Sequence, residues 1–129
     1  MTREQERASY VLEKVQKYEK DDEKFRKDYG SMALRFPALL RSAGLVQALA
    51  FGASRSNQAH KQFVYDFTAV LGKLEGKRLE GEQAFGDYFG RVREAELPEY
   101  LRMTREALAV ADWFKRFAQS VLKVEPGED

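Results

Sequence analysis

The chain has no cysteine, a single histidine, three prolines and a net charge of only +1 over its 129 residues. Without thiols there is no disulfide framework, no cysteine nucleophile and no thiolate metal site. One histidine cannot supply the two Glu-x-x-His pairs of a carboxylate-bridged metal centre in a helical bundle. That histidine, His60, lies beside Lys61 at the start of a helical segment with no evident serine partner, and it reads as a half-exposed helix-end residue rather than a catalyst. No apolar run approaches the roughly 20 residues that span a bilayer. The N-terminal Met-Thr-Arg-Glu-Gln-Glu-Arg is charged and lacks the apolar centre of a signal peptide, so the expected location is cytoplasmic. The glycines between Leu71 and Val92 lack the Gly-Lys-Ser/Thr ending of a phosphate loop, and no strand precedes them. The expectation is a protein with no catalytic residue, no metal and no cofactor.

What the chain does have is helical periodicity from end to end. Thr2 followed by Gln5 forms a capping box, and Ala8, Leu12, Val15 and Tyr18 make an apolar stripe behind it. Lys20-Asp21-Asp22 marks a break, with an aspartate placed to cap a second helix carrying Phe25, Tyr29, Met32 and Phe36. Pro37 fits the first turn of a helix better than its interior, which predicts a bend at Phe36-Pro37 and a separate short helix closed by Gly44. Leu45 to Phe51 is a strongly apolar segment, read as core. Ser56 or Asn57 caps the next helix, striped by Phe63, Phe67, Val70, Leu71 and Leu74. Phe85, Tyr88, Phe89 and Val92 keep a short helix in the glycine-rich region. Pro98 starts a last long helix with Leu101, Leu108, Ala111, Phe114, Phe117, Val121 and Leu122 facing inward. No segment alternates over strand length and no hairpin signal occurs. The reading is all-α: a compact bundle of five or six helices forming a single domain over 1–129, with 1–3 and 125–129 frayed.

Charge is distributed in blocks. Residues 31–65 hold Arg35, Arg41, Arg55 and Lys61 and no acid, whereas 66–99 hold five bases against eight acids. Residues 100–124 are again basic, with five bases against two acids. An acid-free stretch lets neighbouring cations act together on a polyanion, the obvious one being a nucleic-acid backbone. The acidic 66–99 stretch is a natural counterpart for a basic patch on another protein. Arg41-Ser42-Ala43-Gly44 between two short helices hints at a helix-turn-helix, but the helix after it is too apolar to read bases.

Two stretches carry a family resemblance. Tyr29-Gly-Ser-Met-Ala-Leu-Arg-Phe-Pro-Ala-Leu-Leu-Arg-Ser-Ala-Gly-Leu-Val-Gln-Ala-Leu-Ala-Phe51 and Tyr100-Leu-Arg-Met-Thr-Arg-Glu-Ala-Leu-Ala-Val-Ala-Asp-Trp-Phe-Lys-Arg-Phe-Ala118 together resemble the small subunit of the Cmr complex, the type III-B CRISPR effector. One departure is Ala43, where that family often has Asn before Gly-Leu. The resemblance implies a non-catalytic strut in antiviral defence that stacks as a minor filament beside the guide-RNA backbone. Its implied partners are the backbone and large CRISPR effector subunits, further copies of itself, and the guide and target RNA. The expected RNA-binding residues are Arg35, Arg41, Arg55 and Lys61, joined by Lys115 and Arg116 of the last helix, all presented on one basic face. Phosphate contacts of this kind position a strand without reading its sequence, which suits a subunit that must accept any guide. Trp113, flanking Phe114 and Phe117, reads as packing rather than base stacking. Two competing readings are a helical protein–protein adaptor without nucleic-acid contact and a free-standing, sequence-neutral RNA binder.

Overall fold

The computed structural model describes residues 1–127 and contains six helices. They are α1 (Arg3–Gln16), α2 (Glu23–Ala43), α3 (Leu45–Ser54), α4 (Gln58–Leu74), α5 (Gly81–Glu94) and α6 (Leu97–Ser120). No strand occurs among the described residues, so the all-α expectation holds. Of the tail expected to fray, Glu128 and Asp129 lie outside the described residues.

The helix ends follow local chemistry. Thr2 and Gln5 form the reciprocal capping box at α1, Asp22 accepts from the Phe25 amide at α2, and Asn57 accepts from the Ala59 and His60 amides at α4. Each of these caps pairs amides that a helix start would leave open. Gly44 adopts φ 88° and joins α2 to α3 directly. Because the glycine alone takes the left-handed backbone, Ala43 stays helical, and the missing asparagine costs the turn nothing.

Pro37 does not divide the chain as the sequence predicts. It lies inside one continuous 21-residue helix, α2. The proline forgoes only one backbone bond, and it is buried among core residues together with Phe36 and Leu40. Tertiary packing of that stretch therefore outweighs the local preference for a break.

α4 occupies the centre and packs against each of the other five helices. Its Phe63 and Phe67 meet Phe36 of α2 edge-on at 5.1 and 4.9 Å, and Phe114 of α6 meets Phe63 at 5.1 Å. Such tilted ring pairs add about 0.5–1.5 kcal/mol each beyond area burial. Beside this cluster sits a buried carboxylate that periodicity does not reveal. The hydroxyls of Tyr18 and Tyr29 both donate to Asp66 Oδ2 at 2.7 Å, and Gln62 donates to Oδ1 at 2.8 Å. Burial raises the Asp66 carboxyl above its ordinary value, against the lowering effect of these three donors.

α6 is rotated relative to the sequence reading. Its inward residues are Met103, Ala107, Val110, Ala111, Phe114 and Ala118. Leu101 is 47% exposed and Leu97 68% exposed, because both lie on the side away from the Met103–Phe114 stripe. In α3, Leu45, Ala48 and Leu49 are core as expected, but Phe51 points outward.

Candidate nucleic-acid interface

α2 and α6 run antiparallel along one side of the bundle. Near the start of α2, Arg26 Nη1 donates to the Leu122 carbonyl at 3.3 Å; near its end, Arg41 lies 3.8 Å from Asp112. The outer side of α6 carries Asp112, Lys115, Arg116 and Gln119 at helical spacing, and these four line a shallow depression. Arg41, Lys115 and Arg116 thus lie around Asp112, with the Glu4 carboxylate of α1 also within the electrostatic reach of Arg116. The sequence alone does not place Asp112 in this patch; it belongs there because α2 ends beside it. Lys115 has no ion-pair or hydrogen-bond partner among the described residues.

Arg116 also lies 5.5 Å from the centre of the Trp113 ring, which stacks on Phe117 at 5.4 Å. The indole nitrogen donates to Glu4 Oε1 at 2.6 Å, tying α6 to α1. The same bond, with Arg7, holds the Glu4 carboxyl below the ordinary range. Phe117, Arg116 and Glu4 engage the indole within the chain, so Trp113 packs and does not present a platform to a base.

The other cations are placed differently. Arg35 and Arg41 are both exposed, yet six residues at 3.6 per turn set them about 120° apart around α2. Arg35 lies toward the flank where Met32 approaches Gly52 of α3, and its Nε donates to the Ser31 carbonyl at 3.4 Å. Arg55 follows α3, with its guanidinium 5.2 Å from the Phe51 ring centre and its Nε donating to His60 Nδ1 at 3.2 Å. Lys61 is half-buried in the opening turns of α4. The structure therefore draws Arg41, Lys115 and Arg116 into one cluster and sets Arg55 and Lys61 at the α3–α4 junction, with Arg35 on the α2 flank that faces it.

His60 corrects its reading. It does sit at a helix end, but it is only 6% exposed. Arg55 and Asn57 fold over the first turn of α4: Asn57 Nδ2 donates to Asp28 Oδ2 at 3.0 Å and its side-chain oxygen caps the helix. The half-exposed expectation fails because nothing in the local sequence announces that Asp28, far earlier in the chain, closes this corner.

The acidic block also dissolves in three dimensions. Asp66 is buried, Glu75 pairs with Arg91 and Arg102, Asp87 pairs with Arg91, and Glu80 pairs with Lys14. Glu82, Glu94 and Glu96 remain exposed and unpaired among the described residues. Glu94 and Glu96 precede the exposed Leu97 at the α5–α6 corner. Among the described residues no group of three or more His, Asp or Glu side chains is arranged to hold a metal ion, and no helix is long and apolar enough to cross a membrane.

Comparison with known proteins agrees on one family. The model of the family described as CRISPR-associated protein (Cas_Cmr5) matches residues 3–121. The chain is 47% identical over 122 residues to the CRISPR system Cmr subunit Cmr5 of Thermus thermophilus, covering 95% of this chain and 97% of that one. It is also similar to the crystal structure of a CRISPR-associated Cmr5 family protein from Thermus thermophilus. The TM-score is 0.80 at 44% identity, over 94% of this chain and 97% of the other.

Proposed function

The chain belongs to the Cmr5 family of CRISPR-associated proteins, and on that premise we propose that it is the small, non-catalytic subunit of a type III-B effector complex. In this reading it stacks with further copies as a minor filament beside the guide-RNA backbone and contacts the guide–target RNA through cations. The observation that carries the RNA contact is the grouping of Arg41, Lys115 and Arg116 around Asp112, three cations near two carboxylates, Asp112 and Glu4. Two planar guanidinium forks and one ammonium there suit phosphate oxygens, which arginine engages through paired hydrogen bonds. Arg55 and Lys61 at the α3–α4 junction, with Arg35 on α2, supply further positive charge, and the carboxylate the structure brings to that junction is Asp28.

The test is reconstitution with the other effector subunits and guide RNA, comparing wild type with the triple variant R41E/K115E/R116E. Target-RNA affinity is expected to fall, and the dependence of log affinity on log salt to become shallower by about 0.7 for each lost single-strand phosphate contact. Normal assembly with unchanged affinity and unchanged salt slope would refute the RNA contact.

The adaptor reading has an observation of its own. Leu97 and Leu101 are exposed beside unpaired Glu94 and Glu96, a surface suited to an apolar patch with a basic rim on another subunit. L97S/L101S is expected to weaken assembly while leaving the fold intact. If it abolishes incorporation and the triple charge variant changes nothing, protein docking is the whole role.

A further inference from the structure

One cleft lies away from both clusters of candidate RNA-binding cations. It measures about 500 Å³ and opens between α1 and the connection from α4 to α5. A pocket of that size is within the range that holds small ligands. A smaller hollow of about 270 Å³ adjoins it, sharing Tyr10, Lys73 and Glu80.

Its shape comes from the way α4 stops. The Gly76 amide donates to the Lys73 carbonyl at 3.0 Å and the Lys77 amide to the Gly72 carbonyl at 2.9 Å, with Gly76 at φ 86°. This paired closure reverses the chain and lays Lys77 to Glu80 across α1. Two segments with no charge bias of their own are thereby brought together. Lys14 and Lys17 come from α1, and Lys73, Lys77 and Arg78 from the far side. The linear sequence conceals this cluster, because its α4–α5 half falls in a block with an excess of acids.

Five cations meet two lining carboxylates, Glu13 and Glu80. Lys73 reaches Glu13 at 3.3 Å and lies 4.3 Å from the Tyr10 ring centre. Lys14, its side chain only 12% exposed, pairs with Glu80. Lys77 is 3.8 Å from Asp87. Lys17 and Arg78 have no ion-pair or hydrogen-bond partner for their side chains among the described residues. The negative end of α4 accounts for a preference for Lys73 and Lys77 near the helix terminus. It does not account for Arg78, which lines the cleft from beyond the helix, while Lys17, the C-cap of α1, lines the adjoining hollow on the other side of Tyr10, Lys73 and Glu80.

We infer that this cleft and the hollow adjoining it form one oxyanion site that takes a phosphate ester, with Arg78 of the cleft and Lys17 of the hollow as its open donors and Glu80, shared by both, as an internal competitor for Lys14. Tyr10 and Leu79 provide the apolar wall on which the organic part of the ester rests. The inference is independent of the RNA contact proposed above, since none of its residues belongs to either of those clusters. The same chemistry could come from a free nucleotide or from a nucleic-acid strand, and the assay separates the two.

The experiment is an amide-resolved NMR titration of the full chain with ADP and, separately, with decauridine RNA, at constant ionic strength. Signals of Lys73 and of Gly76 to Glu80 are expected to move and saturate. K17A/R78A is expected to weaken binding at least fivefold. E80Q, which removes the competing carboxylate, is expected to tighten it about threefold. R41E/K115E is expected to leave the response of these signals unchanged, separating this site from the α2–α6 cluster. Decauridine binding tenfold or more tighter than ADP assigns the site to a strand; comparable or tighter ADP binding assigns it to a free ester. The inference is overturned if neither probe moves these signals, if chloride moves them equally, or if K17A/R78A and E80Q leave the affinity where it was.

Discussion

Replacing Gly52 by alanine tests whether α3 is held as closely to α4 as the packing implies. Gly52 is buried, and a Cβ at this position would fall within the Val64 side chain of α4, itself fully buried. In an exposed helix the exchange would stabilise by about 1 kcal/mol. Here the added methyl must displace a β-branched side chain with essentially one rotamer in a helix, and overpacking of this kind costs about 1–3 kcal/mol. The steric term lies at its upper end because the obstacle is not the free end of a flexible chain. The net expectation is a destabilisation of about 1–2 kcal/mol, or a fall in Tm of roughly 3–8 °C for a chain of this size. Gly86, on the outer face of α5, is the internal control. A Cβ there meets nothing within 4 Å, so G86A should gain about 0.5–1 kcal/mol and melt higher. Thermal unfolding followed by circular dichroism or calorimetry reads both signs. The double variant G52A/V64A should lose less than the sum of its parts, since removing the Val64 methyls relieves the clash. A G52A protein that melts at or above the wild-type temperature would refute the reasoning.

Further outcomes follow from the polar contacts. Asp66 has a raised carboxyl pKa caused first by burial, so the folded state holds the proton more tightly than the unfolded one. Its contribution is complete below the ordinary carboxylate value and is lost as pH rises through the folded value. D66N removes that titration, so its stability relative to wild type should increase from pH 4 to pH 7.5 in urea denaturation; a difference that stays flat contradicts the assignment. D66A should be destabilised by about 2–3 kcal/mol, because the Tyr18 and Tyr29 hydroxyls would lose their acceptor. N57A strips α4 of its cap and of the link to Asp28, and should cost about 1–2 kcal/mol in the same assay.

Elements whose boundaries rest on local chemistry were legible in the sequence: Thr2, Asp22, Gly44 and Asn57 all do at the helix ends what their side chains or backbones suit them for. What could not be read was anything set by a neighbour distant in sequence. Pro37 is tolerated because the packing of α4 and α6 against α2 keeps that helix continuous through it, and Leu101 is exposed because Met103 takes the inward place. Of the candidate interface, the cations were visible and were expected on one face, but how they divide around the bundle was not. Arg35 and Arg41 are close in sequence yet diverge around α2, while Arg41 and Lys115 come from opposite halves of the chain and share a carboxylate's surroundings. A signal for Asp66 did exist, as an acid standing alone in the most apolar stretch of α4, four residues after Gln62.

The Asp66 trio also gives α1 an index mark. Val11 and Val15 alone would tolerate a slide of α1 by one turn along α4, since apolar contacts are indifferent to such a shift. Only one alignment brings the Tyr18 hydroxyl, just past the end of α1, to a carboxylate buried on α4. A slipped arrangement would leave the buried Asp66 short of a donor, at about 1–3 kcal/mol. The same single alignment sets Arg3 and Arg7 on Glu106 and Lys14 on Glu80. The hydrogen-bonded tyrosine thus shares with these pairs the setting of the longitudinal address of the charges that α1 presents.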